Sequence, residues 1–140
     1  MKKTIFITIV MLSLTITGCM HYRSNEGESM RPLASALTKL SSETEALVRY
    51  GNPPANATDE ELLKLATKND PGFLETFKGY KLHVHSQDKH VIILLCTNDG
   101  KRGLQEDLGC TASLDRNLWK EDAAMPCEFS LSVELGCKKR

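Results

Sequence analysis

The sequence predicts an α+β domain in which two N-terminal helices pack on a small antiparallel sheet of three to four strands, stapled by two disulfides. Three observations predict this fold. Apolar residues recur at helical spacing before residue 51, alternating and β-branched residues dominate after Gly79, and four cysteines lie in the last third. The chain has 140 residues, 41% of them hydrophobic and 26% charged, which is the size and composition of one folded domain.

The first helix is predicted to begin at Ser29 or Met30 and to run for about five turns. Pro32 is tolerated in the first turn, and Gly51 ahead of Asn52-Pro53-Pro54 ends the helix. One apolar stripe at helical spacing consists of Leu33, Leu37, Leu40, Leu47 and Val48. This stripe is expected to cover the sheet.

A second helix is predicted after Thr58-Asp59-Glu60-Glu61, which has the residues of a capping box. In that motif the Thr58 hydroxyl accepts a hydrogen bond from the Glu61 amide, and the Glu61 carboxylate accepts one from the Thr58 amide. Asn69-Asp70-Pro71-Gly72 ends this helix. Residues 73–77 predict one further helical turn with both phenylalanines facing inward.

Residues 80–85 and 90–96 predict a β-hairpin with residues 86–89 as a four-residue turn. In this register His85 faces His90 and Val84 faces Val91, so one side of the hairpin is apolar. The second strand is apolar on both sides, which predicts a central position in the sheet.

Two further strands are predicted. After a turn at Asn98-Asp99-Gly100, residues 104–108 give a weak strand pattern. Residues 127–135 predict a last strand, in which apolar and polar residues alternate. Placed antiparallel against residues 91–96, this strand brings Cys127 near Cys96.

The first residues have the pattern of a bacterial secretion signal. Lys2 and Lys3 precede an apolar run over residues 4–17 that is too short to span a membrane, and polar residues follow at once. The run ends in Ile16-Thr17-Gly18-Cys19, which resembles the lipobox of bacterial lipoproteins. The resemblance implies cleavage after Gly18 and acylation of Cys19, and two or more acyl chains anchor a protein stably.

This resemblance sets the expected organisation and location. Residues 1–18 are a lipoprotein signal peptide, 19–29 are the lipidated cysteine and a polar tether, and 30–140 form the domain. In the lipoprotein sorting scheme an Asp after the lipidated Cys retains the protein in the inner membrane. Met20 stands there, which favours an outer-membrane anchor facing the periplasm.

The other four cysteines are an even number in an exported chain, so we expect two disulfides among Cys96, Cys110, Cys127 and Cys137. Sequence leaves three connectivities open, and the strand placement favours Cys96 with Cys127. A tetrathiolate zinc site is disfavoured, because it needs two closely spaced cysteine pairs.

One candidate metal site stands out in the hairpin. His83, His85 and His90 are predicted on one face, where three imidazoles would hold zinc or copper; Asp88 is the nearest carboxylate. The alternative interpretation is a solvated polar face, and no cofactor other than the covalent lipid is expected.

A second candidate is a partner-binding site at Arg116 and Trp119, because both residue types are favoured at interface hot spots. The alternative is that Trp119 fills the core. The carboxylates of Glu106, Asp107, Asp115 and Glu121 are interpreted as solvated loop charges.

Composition and the absence of known motifs reduce the number of expected function classes. Eighteen basic residues balance eighteen acidic ones, so no nucleic-acid partner is expected. No nucleophile-elbow, phosphate-loop, dinucleotide or zinc-protease motif occurs, so we expect a protein that is not an enzyme. The leading hypothesis is an outer-membrane lipoprotein that binds another protein of an envelope or secretion machine. The alternatives are a periplasmic inhibitor similar in layout to lysozyme-inhibitor lipoproteins, acting through a loop between Cys110 and Cys127, and a metal-binding lipoprotein.

Overall fold

The structure is a computed structural model and describes residues 26–120 and 124–138. The elements in chain order are α1 (Glu26–Ala46), a π-helical turn (Leu47–Gly51), α2 (Asp59–Ala66), a 3-10 turn (Phe73–Phe77), β1 (Tyr80–Gln87), β2 (His90–Thr97), β3 (Gly103–Leu108), a second 3-10 turn (Leu118–Lys120) and α3 (Val133–Gly136). The lipobox and Cys19 lie outside the described residues. Helix α1 begins at Glu26, so it includes the last residues of the predicted tether.

The sheet has three antiparallel strands in the order β1-β2-β3. The central strand β2 is buried from Val91 to Cys96, as the continuous apolar run predicts. The predicted α+β class is confirmed, and the sheet has three strands in the described part of the chain.

Helix α1 covers one side of the sheet, which we call the helix face. Leu37 and Leu40 are fully buried there against Val91, Ile93 and Leu95. Leu33, Leu37, Leu40 and Val48 of the predicted apolar stripe therefore belong to this core, whereas Leu47 does not.

Helix α2 packs against α1 and reaches the edge of β1. The predicted capping box is present: Thr58 Oγ1 accepts from the Glu61 amide at 3.3 Å, and the Thr58 amide donates to Glu61 Oε2 at 2.8 Å. Leu63 and Phe77 join the core of the helix face.

The hairpin register differs from the predicted one. Only Asp88 and Lys89 form the turn, both with positive φ (53° and 65°), and Gln87 pairs with His90. His85 therefore faces Ile92, and the predicted pairing of His85 with His90 is wrong. Because the shift is by two residues, every side chain keeps its predicted face.

Residues 127–137, the C-terminal segment, do not form the predicted strand. Both edges of β2 are occupied by β1 and β3, so no place beside β2 is left for another strand. The segment instead crosses the other side of the sheet, which we call the C-terminal face, as irregular chain that ends in α3.

Two disulfides hold this segment, as predicted. Cys96 is bonded to Cys127, the pairing that the sequence favours, and Cys110 is bonded to Cys137. Cys127 lies beside the start of β3 and Cys137 beyond its end, so the segment runs in the direction of β3. Beneath it Val133 packs on Ile92 and Leu108, while Leu118 packs on Leu94 and Cys96.

Candidate protein-binding surface

The C-terminal segment is attached to the sheet at its two ends and in its middle. The disulfides attach the ends. In the middle, Glu106 Oε1 accepts hydrogen bonds from the amides of Ser130 and Leu131, both at 2.9 Å, and Oε2 accepts one from the Ser130 hydroxyl at 2.6 Å. The backbone of the segment is thereby held without belonging to a strand.

Glu106 is fully buried on β3. A buried carboxylate is tolerated only when hydrogen-bond donors surround it, and here the donors come from the C-terminal segment itself. The contact therefore serves both partners, because it satisfies the carboxylate and two backbone amides that have no strand or helix partner.

Two large apolar side chains of this attached segment face solvent. Phe129 is 38% exposed and Leu135 is 66% exposed. The alternating pattern predicts both on the buried side with Leu131 and Val133, and for these two residues the prediction is wrong. Leu135 lies in α3, where the strand period no longer applies, and the Phe129 ring lies 5.7 Å from the ring of His85.

Arg116, one of the two predicted partner-binding residues, lies against the same segment. Its Nη1 donates to Ser130 Oγ at 2.7 Å, and its backbone pairs with that of Glu106. Trp119 instead packs, half-buried, against the core of the helix face, and its Nε1 donates to Asn117 Oδ1 at 3.3 Å. The two residues thus do not form one joint site.

The three predicted metal ligands have separate surroundings. His83 Nδ1 lies 3.8 Å from Asp59 Oδ2, His85 contacts Phe129, and His90 Nδ1 lies 3.2 Å from Glu45 Oε1. Asp88 forms an ion pair with Lys138 at 2.7 Å. Residues 26–120 and 124–138 contain no site that combines the three histidines.

Two other groups of possible ligands each include cysteine sulfurs. Glu45 and His90 lie near Cys110 and Cys137, and His83 lies near Cys96 and Cys127. These sulfurs are in disulfides, so they are not thiolate ligands. Without them the first group keeps two ligands and the second keeps one.

Asp107 is a second buried carboxylate of β3, on the helix face. The Ser41 hydroxyl of α1 donates to its Oδ2, and the amide of Asp115 donates to its Oδ1 at 3.2 Å. Burial raises the pKa of Asp107 from its ordinary value of 3.8 to about 7, although the Ser41 hydrogen bond opposes this shift. Asp115 accepts from the Leu108 amide and the Thr111 hydroxyl, and its charge raises the pKa of Asp107 further.

The interpretation of Glu106 and Asp107 as solvated charges is wrong, and Glu121 lies outside the described residues. A position beside the doubly buried β2 does not by itself predict this burial, because β1 also lies beside β2 and none of its residues is fully buried, whereas β3 is buried throughout. The partners Ser41 and Ser130 lie 66 and 24 residues from their carboxylates, and local pattern does not reveal them.

Comparison with known protein families, curated proteins and solved structures finds no match to this chain. Among the helices that the structure describes, none combines the length and the apolar character needed to cross a membrane.

The variant Asp107→Asn is expected to flatten the dependence of stability on pH. Between about pH 4 and pH 7 the folded protein keeps a proton on Asp107 that the unfolded chain has lost, so the free energy of unfolding falls as pH rises through this window. The variant lacks this titration. We therefore expect the unfolding free energy of the variant minus that of the wild type, measured by urea titration, to become more positive from about pH 5 to about pH 8.

Asp99→Asn is the control. The Thr97 hydroxyl holds the pKa of Asp99 below its usual range, so this residue titrates below the window and its variant keeps the wild-type slope. An unchanged slope in Asp107→Asn would contradict the burial of a protonated carboxyl at this position.

Proposed function

We propose that this protein is a lipid-anchored periplasmic protein of the bacterial outer membrane that binds another envelope protein through its C-terminal segment. The observation that carries the proposal is the exposure of Phe129 and Leu135 on a backbone attached at both ends and in the middle.

Attachment matters because ordering a segment on binding costs free energy. A segment that is already held in one conformation avoids most of that cost, so more of the contact energy appears as affinity. Phenylalanine is enriched in the cores of protein interfaces, and Arg116 beside Ser130 supplies a residue type that is frequent at binding hot spots.

The location is supported by the sequence. The lipobox resemblance at Ile16-Thr17-Gly18-Cys19 implies an acylated amino terminus, and the two disulfides suit an oxidising compartment. Met20 after the modified cysteine favours the outer membrane.

An inhibitor of a periplasmic enzyme is the second candidate, and the same disulfide-bonded segment favours it. A segment held at both ends with an exposed phenylalanine suits insertion into an enzyme cleft. A metal-binding role has less support, because the three histidines have separate surroundings.

The variant Cys19→Ser tests the anchor. Because the serine cannot carry the thioether-linked lipid, we expect the variant to move from the membrane fraction to the soluble fraction and to lose incorporation of labelled palmitate. Wild-type protein processed in parallel is the reference. Membrane recovery and palmitate labelling that are unchanged in the variant would contradict the lipobox assignment.

The double variant Phe129→Gln with Leu135→Gln tests the partner surface. The full protein is captured from its native envelope after cross-linking, and the partner is quantified by mass spectrometry. Each lost apolar contact at an interface costs on the order of 1–2 kcal/mol, so partner recovery should fall at least about tenfold.

Leu65→Gln is the matched control, because Leu65 is 38% exposed, as Phe129 is, but lies on α2. This variant should recover the wild-type amount of partner. Equal recovery by the double variant and the control would contradict the assignment of the C-terminal segment. A partner that is an enzyme, and that loses activity when bound, would favour the inhibitor.

A further inference from the structure

Four side chains that can bind a metal ion meet at one end of the sheet. Each offers one ligand atom, and these four atoms all lie within 4.8 Å of one another. They belong to Glu45 of α1, His90 at the start of β2, Cys110 after β3 and Cys137 after α3. A group bound among them would therefore join α1, the sheet and the C-terminal segment. We call this feature the corner cluster.

The spacing of the corner cluster suits a tetrahedral ion. Glu45 Oε1 and His90 Nδ1 lie 3.2 Å apart. Zinc bonds of about 2.0–2.1 Å place two tetrahedral ligands about 3.3 Å from each other. Gly109 allows the neighbouring Cys110 to come this close to α1, because a Cβ atom at Gly109 would lie 2.6 Å from Glu45 Cβ.

A cationic group already contacts the carboxylate and the imidazole of the corner cluster. Arg49 Nε lies 2.9 Å from Glu45 Oε1, and Arg49 Nη2 lies 2.8 Å from His90 Nδ1. An arginine can only donate hydrogen bonds, so His90 Nδ1 presents its lone pair to the guanidinium. A metal ion binds the same lone pairs, and the Arg49 side chain, which is 35% exposed, has solvent to move into.

The two cysteines of the corner cluster are bonded to each other, so they become thiolate ligands only after reduction. Cys110 and Cys137 are both partly exposed, whereas Cys96 of the other disulfide is fully buried. The rate of thiol–disulfide exchange depends on access to the sulfurs. We therefore expect a reductant to break the Cys110–Cys137 bond first.

Reduction also changes the charge at this corner. Two thiolates would stand beside the buried carboxylate of Glu45, which makes three negative charges, and Arg49 balances one of them. Lys138 follows Cys137 in the chain, but its ammonium already lies 2.7 Å from Asp88 Oδ2. A divalent cation would balance the remaining two charges, and uncompensated charge in a partly buried place is costly.

We propose that reduction of the Cys110–Cys137 bond by a dithiol converts the corner cluster into a zinc site with Glu45, His90, Cys110 and Cys137 as its four ligands. The dithiol gives up two electrons and two protons and becomes a disulfide, while the Cys110–Cys137 bond breaks to two thiols. Zinc then binds both sulfurs, and the two thiol protons are released to solvent. Four protein ligands leave no open position, so the ion is structural and takes over the attachment of the C-terminal segment. The inference does not depend on the partner proposed above.

Cobalt(II) is the probe, because cobalt bound to thiolates in a tetrahedral site absorbs strongly in the visible and near-ultraviolet and is displaced by zinc. The full chain in detergent is reduced with dithiothreitol, desalted without oxygen and titrated with cobalt and then with zinc. Alkylation followed by mass spectrometry shows which cysteines are free in each state, and near-ultraviolet circular dichroism reports the fold. The oxidised chain is the reference.

We expect one cobalt ion per reduced chain, with thiolate absorption, and no such absorption from the oxidised chain. Zinc should protect Cys110 and Cys137 from alkylation and keep the reduced chain folded. Glu45→Gln and His90→Ala should each weaken cobalt binding at least about tenfold, because each removes one ligand. His83→Ala is the matched control, because His83 lies near the other cysteine pair, and it should bind cobalt as the wild type does.

Three results would overturn the proposal. One is a reduced chain that binds no cobalt, or binds it no better than the oxidised chain does. Another is cobalt binding that both Glu45→Gln and His90→Ala leave unchanged, or that His83→Ala abolishes, which would place the ion elsewhere. The third is a reduced chain in which zinc protects neither Cys110 nor Cys137, or one that unfolds and does not refold when zinc is added.

Discussion

The whole structure depends on covering both faces of β2. Its side chains from Val91 to Cys96 are buried on both sides, so each face of a three-stranded sheet needs a layer of its own. Helix α1 supplies one layer through regular packing of leucines. The C-terminal segment supplies the other with little regular structure, and it therefore requires other attachments.

Two neighbouring carboxylates of β3 provide contacts to both layers. Successive side chains of a strand point to opposite faces, so Glu106 meets the C-terminal segment and Asp107 meets Ser41 of α1. The two carboxyl groups differ in their surroundings. Glu106 is surrounded by three donors, whereas burial dominates at Asp107 and raises its pKa to about 7.

Sequence predicted the parts of the fold that depend on local pattern. The α1 stripe, the Thr58 capping box and the central position of β2 follow from periodicity and turn chemistry, and the structure confirms them. The pairing of Cys96 with Cys127 is also confirmed, although the strand from which it was predicted does not exist. The start of the C-terminal segment lies where that strand would have placed Cys127, because the segment, like the predicted strand, runs antiparallel to β2.

The exposed surface of the C-terminal segment was harder to predict from the sequence than the fold. Alternation at residues 129–135 predicts a strand with four inward side chains. In the structure the Glu106 hydrogen bonds and the short helix α3 set another backbone course, and Phe129 and Leu135 are exposed to solvent. Those hydrogen bonds join residues 24 and 25 positions apart, and no local rule encodes them. The histidines were placed on the right face, but the face does not determine which neighbours each imidazole meets.

Glu106 holds the middle of the C-terminal segment against the sheet. Amide hydrogen exchange of the full, disulfide-bonded chain tests it most directly, because Ser130 and Leu131 belong to no helix or strand and Ser130 is an exposed residue. We expect these two amides to exchange as slowly as those of β2. Exchange at the rate of an open loop, with both disulfides intact, would contradict it.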